Sequence, residues 1–254
     1  MSKLFDLTGK VAVITGSTKG IGRAIADEYA KAGAKVVISS RKADACDKVA
    51  NELKEQGFDA LPIACHVGDK AQLQNLVDTT IATWGKIDIL VCNAATNPVY
   101  GPTSQVSDEA FDKIMGTNVK GTFWLCNMVI PQMVELGGGS IVLLSSIAGI
   151  RASANIGVYG MSKAAEAGLA RNLSLEWGPK NIRVNSIAPG LIRTDFAQAL
   201  LDDPDRLKRV EEKLPLRRVG EPVDIAGVAL FLGSAAGAYV TGQTIVADGG
   251  DTIT

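Results

Sequence analysis

Thr15-Gly16-Ser17-Thr18-Lys19-Gly20-Ile21-Gly22, entered from the apolar run Val11-Ala12-Val13-Ile14, is the stretch on which the reading of this chain turns. A short run rich in β-branched residues reads as a strand covered on both faces, and the segment that follows reads as a helix. Glycines at 16, 20 and 22 permit a tight turn between the two and a close approach of backbone to a ligand. The helix start beyond them offers unpaired N–H groups and a partial positive charge, which together suit a pyrophosphate. The spacing is GxxxGxG, and no Lys-Ser/Thr pair follows the last glycine, so this is not a P-loop. Gly16, Ser17, Thr18, Lys19, Gly20, Ile21 and Gly22 are therefore candidate residues for binding a dinucleotide.

Outward from this turn the same rhythm repeats. Short apolar runs at 11–15, 35–40, 60–64, 87–92, 140–145 and 183–188 predict strands, with a seventh near 244–247. Between them, 21–32, 43–56, 70–84, 108–135 (in two pieces), 158–177 and 223–232 predict helices. Alternation of this kind predicts an α/β fold: a Rossmann-type, doubly wound, seven-stranded parallel sheet with helices on both faces. No linker, charge run or internal repeat divides the chain, so 1–254 reads as one dinucleotide-binding and catalytic domain. One segment breaks the rhythm. Residues 191–216 form a long, partly charged connection beyond the sixth strand, and Asp202-Asp203-Pro204 splits it into two short helices. Its length and its place at a strand's C-terminal end predict a substrate lid.

Bulk properties narrow the function classes. Net charge is −1, from 26 basic and 27 acidic side chains, so no electrostatic footprint for nucleic acid or an anionic membrane is expected. Residues 1–10 lack the apolar core of a signal peptide. The uncharged run from 225 to 247 is interrupted by Gly227, Gly233, Gly237 and Gly242, which fits a helix, a turn and a strand better than a membrane span. Cys46, Cys65, Cys92 and Cys126 form no CxxC pair and are expected as reduced, mostly buried thiols. With one histidine, His66, and no ligand-like spacing, no metal site is expected.

The end of the second strand bears on the cofactor. An acidic residue about 20 positions after the glycine turn would bind the ribose hydroxyls of NAD. Ser39, Ser40, Arg41 and Lys42 stand there instead, with Lys19 inside the turn. An arginine and a lysine can clamp a 2′-phosphate, so NADP(H) is the expected cofactor. The proton chemistry is expected on the helix at 158–177. Tyr159 and Lys163 stand at i and i+4 and share one helix face, where a cation beside the phenol favours its ionised form. Ser145 and Ser146, at the end of the preceding strand, place hydroxyls at the same sheet edge.

With these motifs in order, the chain resembles the short-chain dehydrogenase/reductase family over nearly its whole length, in the single-domain form. The matching pieces are the turn at 15–22, Asn93-Ala94, Asn118, Ser146, Tyr159 with Lys163, Pro189-Gly190 with Thr194, and Asp248-Gly249-Gly250. The resemblance implies that Tyr159 is the general acid or base, that Ser146 holds the substrate oxygen, and that Lys163 binds the nicotinamide ribose and lowers the phenol pKa. It further implies that Asn118 holds a relay water, that Asn93 shapes the cofactor pocket, that Ile192 and Thr194 orient the carboxamide, and that Ala94, Pro189 and Gly190 also bind the cofactor. Ala95 stands where the family has glycine. His66-Val67 replaces its Asp-Val pair, so that His66 would meet the adenine.

Ser39–Lys42, the stretches at 65–68 and 93–98, and Pro189–Thr194 are together similar to the NADPH-dependent carbonyl and retinal reductase branch. The final Asp-Thr-Ile-Thr is not a peroxisomal address, and a cytoplasmic location is expected. The expected function is carbonyl–alcohol interconversion on a hydrophobic small molecule, whose mouth would be formed by Val99, Tyr100, Ile147, Ile150 and Phe196. The alternatives are a 3-oxoacyl thioester reductase, an NAD-dependent secondary alcohol dehydrogenase and, outside catalysis, an NADP-binding redox sensor. The resemblance also implies a homotetramer.

Overall fold

The computed structural model describes residues 3–254, with backbone alone at positions 199, 200 and 206. Seven strands form one parallel sheet: β1 (Val11–Thr15), β2 (Lys35–Ser40), β3 (Ala60–Ala64), β4 (Ile89–Cys92), β5 (Gly139–Leu144), β6 (Ile182–Pro189) and β7 (Thr244–Ala247). Their order is β3-β2-β1-β4-β5-β6-β7. The chain winds outward from β1 to one edge, then returns to β4 and winds to the other. The reversal between β1 and β4 is the switch point at which open α/β sheets bind ligands.

Alternate side chains along each strand point to opposite faces, and this divides the core in two. Ile14, Val36 and Val142 pack with α1 (Gly20–Lys31), α2 (Ala43–Glu55) and α9 (Pro222–Gly233) on one face. Val13, Leu90 and Ile141 pack on the other with α3 (Lys70–Trp84), α5 (Gly121–Glu135) and α6 (Gly157–Trp177). Because both faces are covered, the strands read as near-continuous apolar runs.

One predicted strand boundary shifts for a physical reason, and two predicted helix breaks are present. The fourth strand starts at 89, not 87, because the Gln132 side chain takes both backbone groups of Ile87, accepting at 3.1 Å and donating at 2.7 Å. The predicted helix at 108–135 divides into α4 (Asp108–Ile114) and α5, separated by a wider π-helical turn at Met115–Lys120. Segment 191–216 contains a short 3₁₀ turn (Asp195–Ala197), α7 (Gln198–Leu201) and α8 (Pro204–Lys213), broken at the aspartates as predicted.

The uncharged run at 225–247 holds α9, a 3₁₀ turn at Ala235–Gly237 and β7. Among the described residues no helix is long and apolar enough to cross a membrane. All four cysteines are buried and free.

Candidate active site

Because every strand is parallel, all seven C-terminal ends lie along one edge of the sheet. The glycine turn leaves β1 there with Gly16 and Gly20 at φ 68° and 56°, in the left-handed region. Gly22 has ordinary dihedrals and a different constraint. A Cβ there would lie 2.4 Å from both the Gly16 carbonyl oxygen and Asn93 Nδ2, so only glycine lets the helix start so close to the turn.

A polar lattice fixes the turn from beneath. Ser17 Oγ donates to the Ile14 carbonyl at 2.7 Å and accepts from the Ser39 amide at 2.9 Å. Asn93 Nδ2 donates to the carbonyls of Thr15 and Gly16 at 2.8 and 3.1 Å, while Thr15 Oγ1 accepts from the amides of Asn93 and Ala94. Ser17 and Asn93 are thus spent on the protein's own backbone.

These residues fit a dinucleotide. The start of α1 has no side-chain cap, so its first-turn N–H groups remain available to an anion. Arg41 and Lys42 are exposed beyond β2, and the Ser39 hydroxyl is buried there without a partner. His66 Nδ1 accepts from the Gly68 amide at 3.0 Å, which leaves Nε2 as the ring donor; Val67 is half-buried beside it. Gly190 abuts the β7 end, with its amide donating to the Ala247 carbonyl at 3.0 Å. Ile192 is buried and pairs with Gly220, while Thr194 Cγ2 would lie 3.2 Å from a Cβ on Gly20. Lys19 donates to Asp195 at 3.0 Å, tying the glycine turn to the segment after β6. The ends of β1, β2, β3, β4 and β6 thus bring together the residues that could hold a dinucleotide.

Tyr159 and Lys163 lie on the first turns of α6, beside the ends of β4 and β5. Lys163 Nζ is 5.6 Å from the centroid of the Tyr159 ring. Ser146 caps the 3₁₀ turn Ile147–Gly149, its hydroxyl accepting from the Ala148 amide at 3.1 Å. Its neighbour Ser145 is buried, with Oγ donating to the Lys163 carbonyl at 2.7 Å, which locks strand end to helix. The family resemblance named Ser146 of the two serines; the geometry gives Ser145 a structural bond and leaves Ser146 beside the phenol.

Part of the Tyr159 surface is open, but its hydroxyl is closely packed. Burial pushes the phenol above the ordinary tyrosine value, against the lowering pull of Lys163 and of a hydrogen bond with Ser146. The expected help from Lys163 is present, and burial outweighs it.

Asn118 sits in the π-helical turn, a wider turn that recurs at functional sites. Its side chain is buried and fully engaged: Oδ1 accepts from the Thr96 amide at 2.8 Å, and Nδ2 donates to the Thr96 carbonyl and Ser162 Oγ, each at 3.0 Å. It bonds to Ser162, the residue before Lys163.

The partner of Lys163 is a residue that sequence reading missed. Glu166, also buried, accepts from Nζ at 2.9 and 3.1 Å, and the Leu144 carbonyl accepts a third bond at 2.6 Å. Burial pushes the Glu166 carboxyl up to about 7, against the pull of Lys163. Burial also pulls the ammonium down, but Glu166 and Tyr159 lift it above the ordinary lysine value. The signal was available: residues three apart on a helix are neighbours, and Glu166 falls on the stripe that already carried Lys163.

On the outer side Phe196 packs over the phenol, ring centroids 6.0 Å apart at 41°. A narrow cleft beside the phenol is lined by Val99, Val158, Asn97 and Asn155. A roomier recess of about 160 Å³ lies at the root of segment 191–216, among Leu191, Leu216, Arg218 and Asp248; no proton-transfer residue lines it. Among the described residues no cluster of side chains could hold a metal ion.

The comparisons agree with this geometry. A family model described as Enoyl-(Acyl carrier protein) reductase matches residues 16–252. The chain is 43% identical over 250 residues to "Dehydrogenase/reductase SDR family member 4" of Bos taurus, spanning 98% of this chain and 90% of that protein. Among solved structures, a 7α-hydroxysteroid dehydrogenase with NADH and 7-oxo glycochenodeoxycholic acid superposes with a TM-score of 0.94 at 39% identity. That match covers 98% of this chain and 97% of the other. A gluconate 5-dehydrogenase from Burkholderia cenocepacia, in complex with NADP and tartrate, gives a TM-score of 0.95 at 32% identity, over 99% and 98% of the two chains.

Proposed function

This chain belongs to the short-chain dehydrogenase/reductase family, and we propose that it is an NADP(H)-dependent oxidoreductase that interconverts a hydrophobic ketone or aldehyde and its alcohol. The observation that carries the reading is the convergence of Tyr159, Ser146 and Lys163 on the sheet edge that also holds the glycine turn. A module that only binds nucleotide has no use for a proton donor at that place, which argues against a redox sensor.

The nicotinamide, when bound, supplies or accepts the hydride. The protein's own part is acid–base and positional. In reduction Ser146 holds the carbonyl oxygen, and Tyr159 donates its phenolic proton to that oxygen as the carbonyl carbon is reduced. Lys163 stabilises the phenolate that remains. In oxidation the same phenolate removes the hydroxyl proton. Segment 191–216 acts as the lid, with Phe196 its contact to the phenol.

Preference for NADP(H) is supported by Arg41 and Lys42, both exposed where a ribose-binding carboxylate would otherwise stand. Titrating NADPH against NADH across aromatic, steroidal and acyl ketones tests both halves of the proposal. NADPH is expected to be favoured by about tenfold or more in kcat/KM. Equal use of NADH would overturn the cofactor assignment, and no turnover on any ketone would overturn the substrate class. A basic patch for a carrier-linked thioester is not favoured, because Arg218 is engaged by Asp224 at 2.6 and 2.9 Å.

The proposal extends to a cytoplasmic homotetramer. Exposed apolar side chains on the long helices, Phe123, Met161 and Leu175, support assembly, and sedimentation would test it.

A further inference from the structure

Helix α6 buries a carboxylate that the reaction above does not use. Glu166 is 1% exposed and Lys163 2% exposed, so the pair is buried beneath the Tyr159 ring. An ammonium carries three N–H donors. Here the two Glu166 oxygens, at 2.9 and 3.1 Å, and the Leu144 carbonyl, at 2.6 Å, supply three acceptors for them. The cation is therefore held from behind, on the side away from solvent, while its other neighbour is the Tyr159 ring. A lone ammonium in such a place tends to shed its proton, whereas a carboxylate in contact keeps it there.

We propose that Glu166 is a positioning residue for proton transfer: it holds the Lys163 ammonium against the Leu144 carbonyl and offsets its charge. The Tyr159–Lys163 pair thereby stays fully protonated through neutral pH, the form able to protonate a carbonyl. This assignment rests on the oxidoreductase reading above. Glu166 itself touches neither the cleft nor the glycine turn, and acts through Lys163.

The neighbours of the pair bear on its titration. On α6 itself the neighbour is Glu166; β4 contributes Cys92 and α5 contributes Cys126. β5 offers the Leu144 carbonyl. A hydrogen bond with Cys126, together with burial, holds the Cys92 thiol well above its ordinary value, so it keeps its proton. The charges acting on the phenol are those of Lys163, which lowers its pKa, and Glu166, which raises it. Deleting the negative charge makes the first proton of the Tyr159–Lys163 pair easier to lose, whichever member releases it.

The test is the pH profile of kcat for carbonyl reduction in the full-length enzyme. In Glu166→Gln, which keeps the side chain's size and an acceptor oxygen, the alkaline limb should move to lower pH by about one pH unit. Glu166→Asp keeps the charge on a shorter arm, and its limb should fall between the two. Lower activity or Tm with an unmoved limb would mark a merely structural residue and overturn the proposal.

If Glu166→Gln does not fold, the Asp variant decides: a limb displaced the same way supports the assignment, and an unmoved one overturns it. Absence of turnover in the unaltered enzyme would instead remove the oxidoreductase reading. The pair is then followed without turnover, through the ¹³C signals of Tyr159 Cζ and Lys163 Cε in nucleotide-free protein. An earlier first step in the Gln variant, or in the Asp variant if Gln does not fold, supports the role of Glu166, and coincident titrations overturn it.

Discussion

The two halves of the sheet's working edge are built by different means. From β2 to β4 the groove is made of backbone: left-handed glycines, an uncapped helix start, and Ser17, Thr15 and Asn93 spent on holding main chain in place. From β5 onward it is made of side chains carried on irregular segments, with Ile150 and Phe196 exposed and the Phe196 ring tilted against the phenol ring. Backbone grips what all dinucleotides share, while exposed side chains suit what differs between substrates. Substitutions in the first half should therefore act on cofactor binding and stability, and those in the second on turnover and substrate choice.

The sharpest break between the halves is Tyr159→Phe. It removes the proton donor but leaves the ring and the glycine turn in place. Turnover is expected to fall by about 10²–10⁴, while NADPH affinity by calorimetry stays within about threefold. A matched loss of affinity would mean that the phenol belongs to the cofactor groove as much as to the chemistry. The mirror experiment is Gly22→Ala. Its methyl group must displace the Gly16 carbonyl or Asn93, both 2.4 Å from the new Cβ. Overpacking of this kind costs about 1–3 kcal/mol, so the Tm should drop and NADPH should bind about tenfold more weakly or worse. Substrate preference among ketones should not change.

A smaller effect separates the two cofactors. Arg41→Ala removes an exposed cation beyond β2 without touching the lattice beneath the turn. The KM for NADPH should rise by about tenfold and that for NADH should barely move. Equal changes in both would assign Arg41 to the adenosine that the two cofactors share.

What the sequence disclosed follows the same division. The glycine spacing at 16, 20 and 22 carried the cofactor half, because only glycine satisfies those dihedrals and that close approach. The pairing of Tyr159 with Lys163 followed from helical periodicity alone. The start of β4 did not, because the group that replaces strand pairing at Ile87 is Gln132, 45 residues away. The π-helical turn around Asn118 was equally hidden, since no local preference marks it and its bonds to Thr96 and Ser162 are tertiary. Glu166 lay in plain view at i+3 from Lys163, yet only the packing of α6 against β5 and β6 shows that the charge points inward. Asp202-Asp203-Pro204 predicted the break in the lid, but not that Phe196 would reach Tyr159.

The least effect should come from an exposed polar contact between the halves. Lys19 in the glycine turn donates to Asp195 in the lid at 3.0 Å, with both side chains well exposed. An exposed pair contributes little to stability, so Asp195→Asn should leave the Tm unchanged. Its effect on binding has the opposite sign from the other substitutions. The carboxylate competes for Lys19 with any cofactor phosphate that reaches the turn, and its own charge repels that phosphate. Asp195→Asn should therefore tighten NADPH binding by about two- to fivefold, and more at low salt than at high. Combining it with Lys19→Ala should abolish most of the gain, because the cation that profits is gone. A variant that binds NADPH more weakly would show instead that the pair holds the lid in the posture that closes over the cofactor, and would make the two halves one mechanical unit.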